Sequence, residues 1–257
     1  MSLAMTRVGE GPVSYVFLHG LLGQGKNWST IAKLLLPASS LLVDLPDHGR
    51  SPWTEDTSYE SMAEAVADML GEVPEPAPVT LVGHSMGGKV AMLVALGHPE
   101  LVGRLVVVDI SPAETDATEF LRYLDAMLAI DPSQVATRAD ADARLRTAAP
   151  DPVVRGFLLQ GLQRTDTGWS WLPNLEGLRR GIARIGGWPA ASGTYEGPVL
   201  WVGGERSGYV TRDQLPTMRA LFPRVRLVVV KGAGHWVHAD QPTVVSELLR
   251  QWVAATA

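Results

Sequence analysis

This chain predicts an α/β architecture, a mostly parallel central sheet flanked by helices, and three observations lead to it. Short runs rich in Val, Leu and Ile alternate with longer stretches of helical period, the rhythm of βαβ units. Those runs are continuously apolar rather than alternating, as strands are when helices cover both faces of a parallel sheet. The length, 257 residues with 46% apolar and 19% charged side chains, suits one such domain with a large core.

In chain order, Val13–Leu18 is the first expected strand, and Trp28–Leu36 the first helix. Ser40–Asp44 follows as a second strand, then a helix over Tyr59–Gly71, where Thr57 with Glu60 and Ser61 with Glu64 have capping-box spacing. The proline-rich connector Glu72–Pro78 ends that helix and leads into a strand over Val79–Gly83. A helix over Met86–Leu96 and a strand over Leu105–Asp109 come next. The rhythm then stops. Between residues 112 and 190 only amphipathic helical segments stand out, Glu119–Ile130, Ala139–Ala148, Pro152–Leu162 and Leu175–Ile185, so this stretch is expected to be an all-helical insertion over the end of the sheet. The strands Val199–Gly203 and Val225–Val230, with helices over Arg212–Leu221 and Thr243–Ala254, restore the pattern. The expected division is a core of residues 1–111 and 191–257 with a helical cap of residues 112–190 between them.

Composition excludes several classes of function. With 22 basic and 27 acidic residues the net charge is −5, which gives no electrostatic footprint for nucleic acid or an anionic membrane. No apolar run approaches the about 20 residues of a membrane-spanning helix, and the first residues lack the apolar region of a signal peptide. The absence of cysteine removes disulfides, thiolate metal sites and a cysteine nucleophile, and fits a reducing cytoplasm.

The chemistry is carried by Gly83-His84-Ser85-Met86-Gly87-Gly88, directly after one expected strand and directly before a helix. Gly-x-Ser-x-Gly in that context describes a turn that lifts a serine hydroxyl above the sheet and aims the following amide at the same spot. Such a hydroxyl needs a base, and His235 in Gly232-Ala-Gly-His235 follows the last expected strand at the same sheet edge. Developing oxyanion charge needs two N–H donors. Met86 offers one by position, and the loop His19-Gly20-Leu21-Leu22 offers the other, through Leu21 or, failing that, Leu22. His235, His238 and Asp240 resemble metal ligands, but no further ligand with supporting spacing joins them, so neither a metal nor any other cofactor is expected.

Phe17-Leu-His-Gly20, Asp44-Leu-Pro-Asp-His-Gly-Arg-Ser51, Gly83-His-Ser-Met-Gly-Gly88 and Gly232-Ala-Gly-His235 together resemble the α/β-hydrolase fold superfamily, in its order and over nearly the whole chain outside the insertion. More narrowly, Val108-Asp-Ile-Ser-Pro112 and Gly234-His-Trp-Val-His-Ala-Asp240 are similar to the small YbfF-like bacterial esterases. The resemblance implies a helical cap after the strand ending near Asp109, and a triad of Ser85, His235 and an acid. Many members carry that acid in a Gly-x-x-Asp segment; here the matching position in Gly203-Gly-Glu-Arg-Ser is Ser207. Asp109, at an alternative acid position of the superfamily, and Glu205, two residues from the usual one, are the candidates.

The expected activity is that of a carboxylesterase on small to medium acyl esters or thioesters, acting alone as a monomer or homodimer on a small acyl substrate. Leu22, Trp28, Tyr209 and Trp236 are candidates to line the substrate pocket, together with the Met86 side chain. Trp169, Trp171 and Trp188 fall in the cap, where core packing explains each of them better than a pocket does. Serine at position 85 argues against dehalogenases and epoxide hydrolases, which need aspartate there. Carbon–carbon hydrolases and lyases of the same fold would need a basic cap residue facing Ser85, drawn from Arg122, Arg155, Arg179, Arg180 or Arg184. A non-catalytic receptor on the fold is the reading from another class.

Overall fold

In a computed structural model, which describes residues 2–73, 78–166 and 168–256, the elements follow one another as β1 (Met5–Val8), β2 (Val13–Leu18), α1 (Ser29–Leu34), β3 (Ser39–Val43), α2 (Tyr59–Gly71), β4 (Val79–His84), α3 (Met86–Gly97) and β5 (Val102–Val108). Then come α4 (Thr118–Leu128), α5 (Arg138–Leu145), α6 (Pro152–Leu158), the strands β6 (Leu162–Thr165) and β7 (Gly168–Trp171), and α7 (Leu175–Gly186). The chain closes with β8 (Val199–Gly204), α8 (Leu215–Leu221), β9 (Val225–Val230), α9 (Val237–Asp240) and α10 (Pro242–Ala255).

Seven strands form one sheet in the order β1-β3-β2-β4-β5-β8-β9, parallel throughout except for β1, which runs antiparallel to β3 along the edge. The continuous apolar runs have a simple cause. Successive residues of a strand point to opposite faces, and both faces are covered. Val16, Leu18, Leu81, Leu105, Val107 and Trp201 join one core with α2 and α3. Tyr15, Phe17, Val82, Val106, Val108 and Val202 join the other with Trp28, Leu249 and Trp252.

Register aligns the functional loops. Leu18 pairs with Gly83, His84 with Val108, Val108 with Val202 and Gly204 with Val230. The carboxyl ends of β2, β4, β5, β8 and β9 therefore lie side by side, the edge where open α/β sheets hold their ligands.

The sequence reading needs four corrections. Residues 112–190 are not all-helical, because β6 and β7 form an antiparallel hairpin, Leu162 opposite Trp171 and Thr165 opposite Gly168. The helix expected through Leu162 stops at Leu158, and a short turn over Leu159–Gly161 leads into the hairpin. Strand β1 was not anticipated; its residues are largely exposed, so it lacks the apolar signature of the inner strands. Neither expected capping box starts α2: Ser58 is its N-cap, accepting the Ser61 amide at 3.2 Å. Of the connector Glu72–Pro78, residues 74–77 lie outside the described residues.

Segment 112–190 is tied to the core on several sides. Gln160, after α6, accepts Gln24 Nε2 at its carbonyl (2.9 Å) and Asn27 Nδ2 at Oε1 (2.8 Å). Asn174 donates Nδ2 to Asp47 Oδ1 (2.8 Å), and Trp53 Nε1 donates to Leu172 O (2.9 Å). At the far end of α7, Tyr59 Oη donates to Ile185 O at 2.7 Å, while Lys89 Nζ donates to the carbonyls of Gly186 (3.2 Å) and Gly187 (2.6 Å).

Candidate active site

Ser85 occupies a turn of one residue between β4 and α3, at φ 51° and ψ −120°. A side chain pays about 1–3 kcal/mol to adopt such a backbone, which persists only where its surroundings enforce it. Here the neighbours do so by close approach. A Cβ at Gly83 would lie 2.1 Å from Gly87 O, and one at Gly87 would lie 2.4 Å from His19 O. The two glycines let α3 descend onto the end of β2, which brings the Met86 amide, first in α3, toward the loop carrying Leu21. Among the described residues, neither the Leu21 amide nor the Met86 amide has a hydrogen-bond partner. The Leu22 amide is engaged, donating to His48 Nε2 at 3.1 Å. Of the two donors weighed in the loop, only Leu21 is free.

Asp109 follows β5, also at positive φ (53°), and is fully buried. Its Oδ2 accepts His235 Nδ1–H at 2.7 Å, and its Oδ1 accepts the Gly204 amide at 2.9 Å. Ser207 Oγ donates to Oδ2 as well. Glu205 is not on the imidazole: its Oε2 accepts the Gly232 amide at 2.8 Å, bracing the loop that leads to His235. The alternative acid is thereby corrected, since its reach is spent on that loop.

With Nδ1 held by a carboxylate, His235 keeps its Nε2 buried and without a partner among the described residues. The His235 backbone is itself braced, its carbonyl accepting His84 Nε2–H at 2.9 Å. Burial first, and then the neighbouring His235 and His238, hold the His84 pKa well below the usual imidazole range, so that ring stays neutral. Ser85 Oγ makes no hydrogen bond to a described residue, and it shares one cavity with His235. A hydroxyl and a carboxylate-held imidazole on one cavity, with Leu21 and Met86 both bordering the recess at Ser85, are parts that acyl transfer can use.

That cavity has a volume of about 710 Å³. Leu21, Phe120, Val153, Phe157 and Trp236 form its apolar wall, with Lys26, Asn27 and Gln160 as polar members. Phe120 also borders a small recess of about 20 Å³ behind Ser85, shared with Met86, Lys89 and Tyr209. Trp236 and Tyr209 thus lie at the site, the Tyr209 ring 4.3 Å from that of His235. Leu22 and Trp28 do not. Leu22 is buried in the core, and Trp28 is sealed beneath the sheet, its Nε1 donating to Leu18 O at 3.1 Å and its ring stacked on His238.

None of the five cap arginines lines the cavity. Arg155 is buried against Asp142 and the carbonyls of Ala149 and Pro150, while Arg122 and Arg179 pair on the surface with Glu119 and Asp125. The cation at the cavity is Lys26 from the core, which nothing in the sequence singled out.

Comparison with known proteins places these observations among relatives. A family model described as "alpha/beta hydrolase fold" matches residues 16–242. The sn-1-specific diacylglycerol lipase ABHD11 of Danio rerio is 40% identical over 235 residues, covering 88% of this chain and 74% of the relative. Esterase YbfF of Escherichia coli is 31% identical over 239 residues, covering 93% of this chain and 92% of the relative. A solved structure titled "Marine microorganism esterase" superposes with a TM-score of 0.93 at 34% identity, covering 97% of this chain and 98% of that one.

Proposed function

We infer, for a chain that belongs to the alpha/beta hydrolase fold family, a serine-dependent carboxylic ester hydrolase acting on small to medium acyl esters or thioesters. The observation that carries this reading is the Asp109–His235 contact of 2.7 Å, which leaves His235 Nε2 bare in the cavity that holds Ser85. Relatives named as a lipase and an esterase support the reaction class.

Ser85 Oγ attacks the acyl carbonyl as His235 Nε2 takes its proton. The tetrahedral oxyanion is received by the Leu21 and Met86 amides, at the N-terminal end of α3 where partial positive charge is concentrated. Asp109 holds Nδ1–H and stabilises the imidazolium until its proton passes to the leaving alcohol or thiol. Water, activated by the same Nε2, then cleaves the acyl-enzyme and returns Ser85 to its starting state. No step requires a cofactor.

A volume of about 710 Å³ lies within the roughly 300–1,000 Å³ of small-molecule sites, and its apolar wall suits an acyl chain. Residues 112–190 act as the cap, contributing Phe120, Val153, Phe157 and Gln160 to that wall. The carbon–carbon reading is not favoured, since the arginines it would draw on point elsewhere. Among the described residues no helix is long and apolar enough to cross a membrane; a cytoplasmic enzyme is the proposed setting.

Hydrolysis of p-nitrophenyl butyrate by wild type beside Ser85→Ala tests the reading. Turnover by wild type, abolished in Ser85→Ala together with fluorophosphonate labelling, is the expected result. A folded wild type that neither labels nor turns over esters would point instead to a receptor.

A further inference from the structure

Two buried histidines outside the Ser85, His235 and Asp109 set grip one another's loops. His19 leaves β2 in the loop that carries Leu21, and His48 lies in the turn after β3, with the rings 5.1 Å apart. His19 Nε2 accepts the Leu45 amide of the facing loop at 3.0 Å, and His48 Nε2 accepts the Leu22 amide at 3.1 Å. Each Nδ1 donates to a carbonyl of its own loop at 2.8 Å, Gly20 O for His19 and Pro46 O for His48. A backbone amide only donates and a carbonyl only accepts. Both rings are therefore neutral Nδ1–H tautomers. Burial enforces this, holding the His19 pKa down to about 3 and lowering that of His48.

The geometry bears directly on Leu21. The Leu21 N–H shares a planar peptide with Gly20 C=O and points opposite to it. Gly20 O is held by His19 Nδ1–H and by the Gly23 amide at 2.9 Å. The next peptide plane carries the Leu22 N–H, which His48 holds, and Leu22 stands at φ 62°, a conformation a leucine does not keep unaided. Both planes flanking the Leu21 Cα are thus pinned, one by each histidine. We propose that His48 is a positioning residue for the oxyanion hole, acting with His19 to keep the Leu21 amide directed at the cavity of Ser85. This rests on the assignment of Ser85 as nucleophile and Leu21 as oxyanion donor.

The test compares His48→Leu, which fills space but accepts no hydrogen bond, with His48→Gln, whose Oε1 can accept from Leu22. Losing an oxyanion donor outright costs about 10²–10³ in kcat. A misaimed Leu21 amide in His48→Leu should lower kcat for p-nitrophenyl butyrate by about 10–100-fold, with KM changed by less than about threefold. Inhibition by butylboronic acid, whose serine adduct places a tetrahedral oxygen in the hole, should weaken in parallel. His48→Gln should recover most of both. The proposal is overturned if His48→Leu keeps its kcat, if kcat falls while boronate affinity holds, or if the glutamine variant does no better than the leucine one. Should the leucine variant fail to fold, long-range ¹H–¹⁵N spectra of wild type decide: a bare Nε2 on His48 supports the proposal, and a protonated one overturns it. Fluorophosphonate labelling of wild type at Ser85, measured first, separates failure of the underlying reading from failure of the proposal.

Discussion

Ser207 donates its hydroxyl to Asp109 Oδ2, so the residue at the position where an acid was expected from the resemblance supports the carboxylate that follows β5. The same oxygen receives His235 Nδ1–H at 2.7 Å, while Oδ1 takes the Gly204 amide at 2.9 Å. A fully buried carboxylate is costly unless its lone pairs are used. These three donors use them.

Substitutions at this cluster should separate its members. Asp109→Asn should lower kcat for p-nitrophenyl butyrate by about 10³–10⁴-fold, since an amide cannot hold the imidazolium. Ser207→Ala removes one bond to a charged group, worth about 1.5–3 kcal/mol, and should cost about 10–100-fold. Glu205→Gln should stay within about twofold, because its contact is to the loop backbone. Steady-state kinetics on the three variants check this, and a Glu205→Gln loss matching that of Asp109→Asn would refute it.

Acid should unfold the protein early. His19, His48, His84 and His238 are buried with lowered pKa values, about 3 for His19 and His238. Unfolded histidines bind protons near 6.5, so as pH falls below that value the unfolded chain takes up protons that the folded one refuses. The stability these neutral rings contribute is complete above pH 6.5 and is lost as pH falls toward their folded values. His19 and His238, with folded values of about 3, together remove about 3 kcal/mol per pH unit below 6.5, a large share of a typical 5–15 kcal/mol within two pH units, and His48 and His84 act in the same direction. Urea unfolding between pH 7.5 and 4.5 measures it; an unfolding free energy that stays level to pH 5 would sink the idea.

Lys89 should act in the same direction, but at high pH. Burial lowers its pKa from 10.5 to about 8. Between those values the unfolded chain holds a proton that the folded chain has released, so the Lys89 contribution rises with pH across that window, by at most about 3 kcal/mol. The difference in unfolding free energy between wild type and Lys89→Met should therefore grow in favour of wild type from pH 7.5 to 10. A constant difference would contradict it.

Phe120 separates the main cavity from the recess behind Ser85. Phe120→Ala should join them and shift preference toward longer acyl chains. The ratio of kcat/KM for p-nitrophenyl octanoate to that for the butyrate should rise by about tenfold, the low end of what one methylene is worth in an apolar pocket. An unchanged ratio would show that the acyl chain runs elsewhere.

What was legible in the sequence followed physical strength of signal. The buried strands announced themselves because both faces must be apolar, and Gly83 and Gly87 marked the elbow because no other side chain fits there. Asp109 was legible only as one of two carboxylates, since its selection depends on how β5 and β8 sit side by side. Strand β1 was hidden because an exposed edge strand needs no apolar pattern. The hairpin β6–β7 was missed because its strands are only four residues each, too short for a clear period, and only its first residue, Leu162, fell inside an expected helix. The assignment of Trp28 and Leu22 to the pocket failed because nearness along the chain to the oxyanion loop does not decide which face of the sheet a side chain meets. Lys26 and Gln160 carry no local signal at all; they meet only through the fold.

The ties between segment 112–190 and the core also bear on how such proteins diversify. Gln160 grips Gln24 and Asn27, which continue the very loop that presents Leu21, while Asn174 grips Asp47, the neighbour of His48. The segment that lines the cavity of Ser85 is thus fastened to the two turns that we propose aim the Leu21 amide. A chimera that imports this segment from a relative would leave Gln24, Asn27 and Asp47 facing strangers, and its chemistry would suffer along with its selectivity. On the proposed reading, the segment and the loops beside Ser85 are one inheritance, to be exchanged together with those three core residues or not at all.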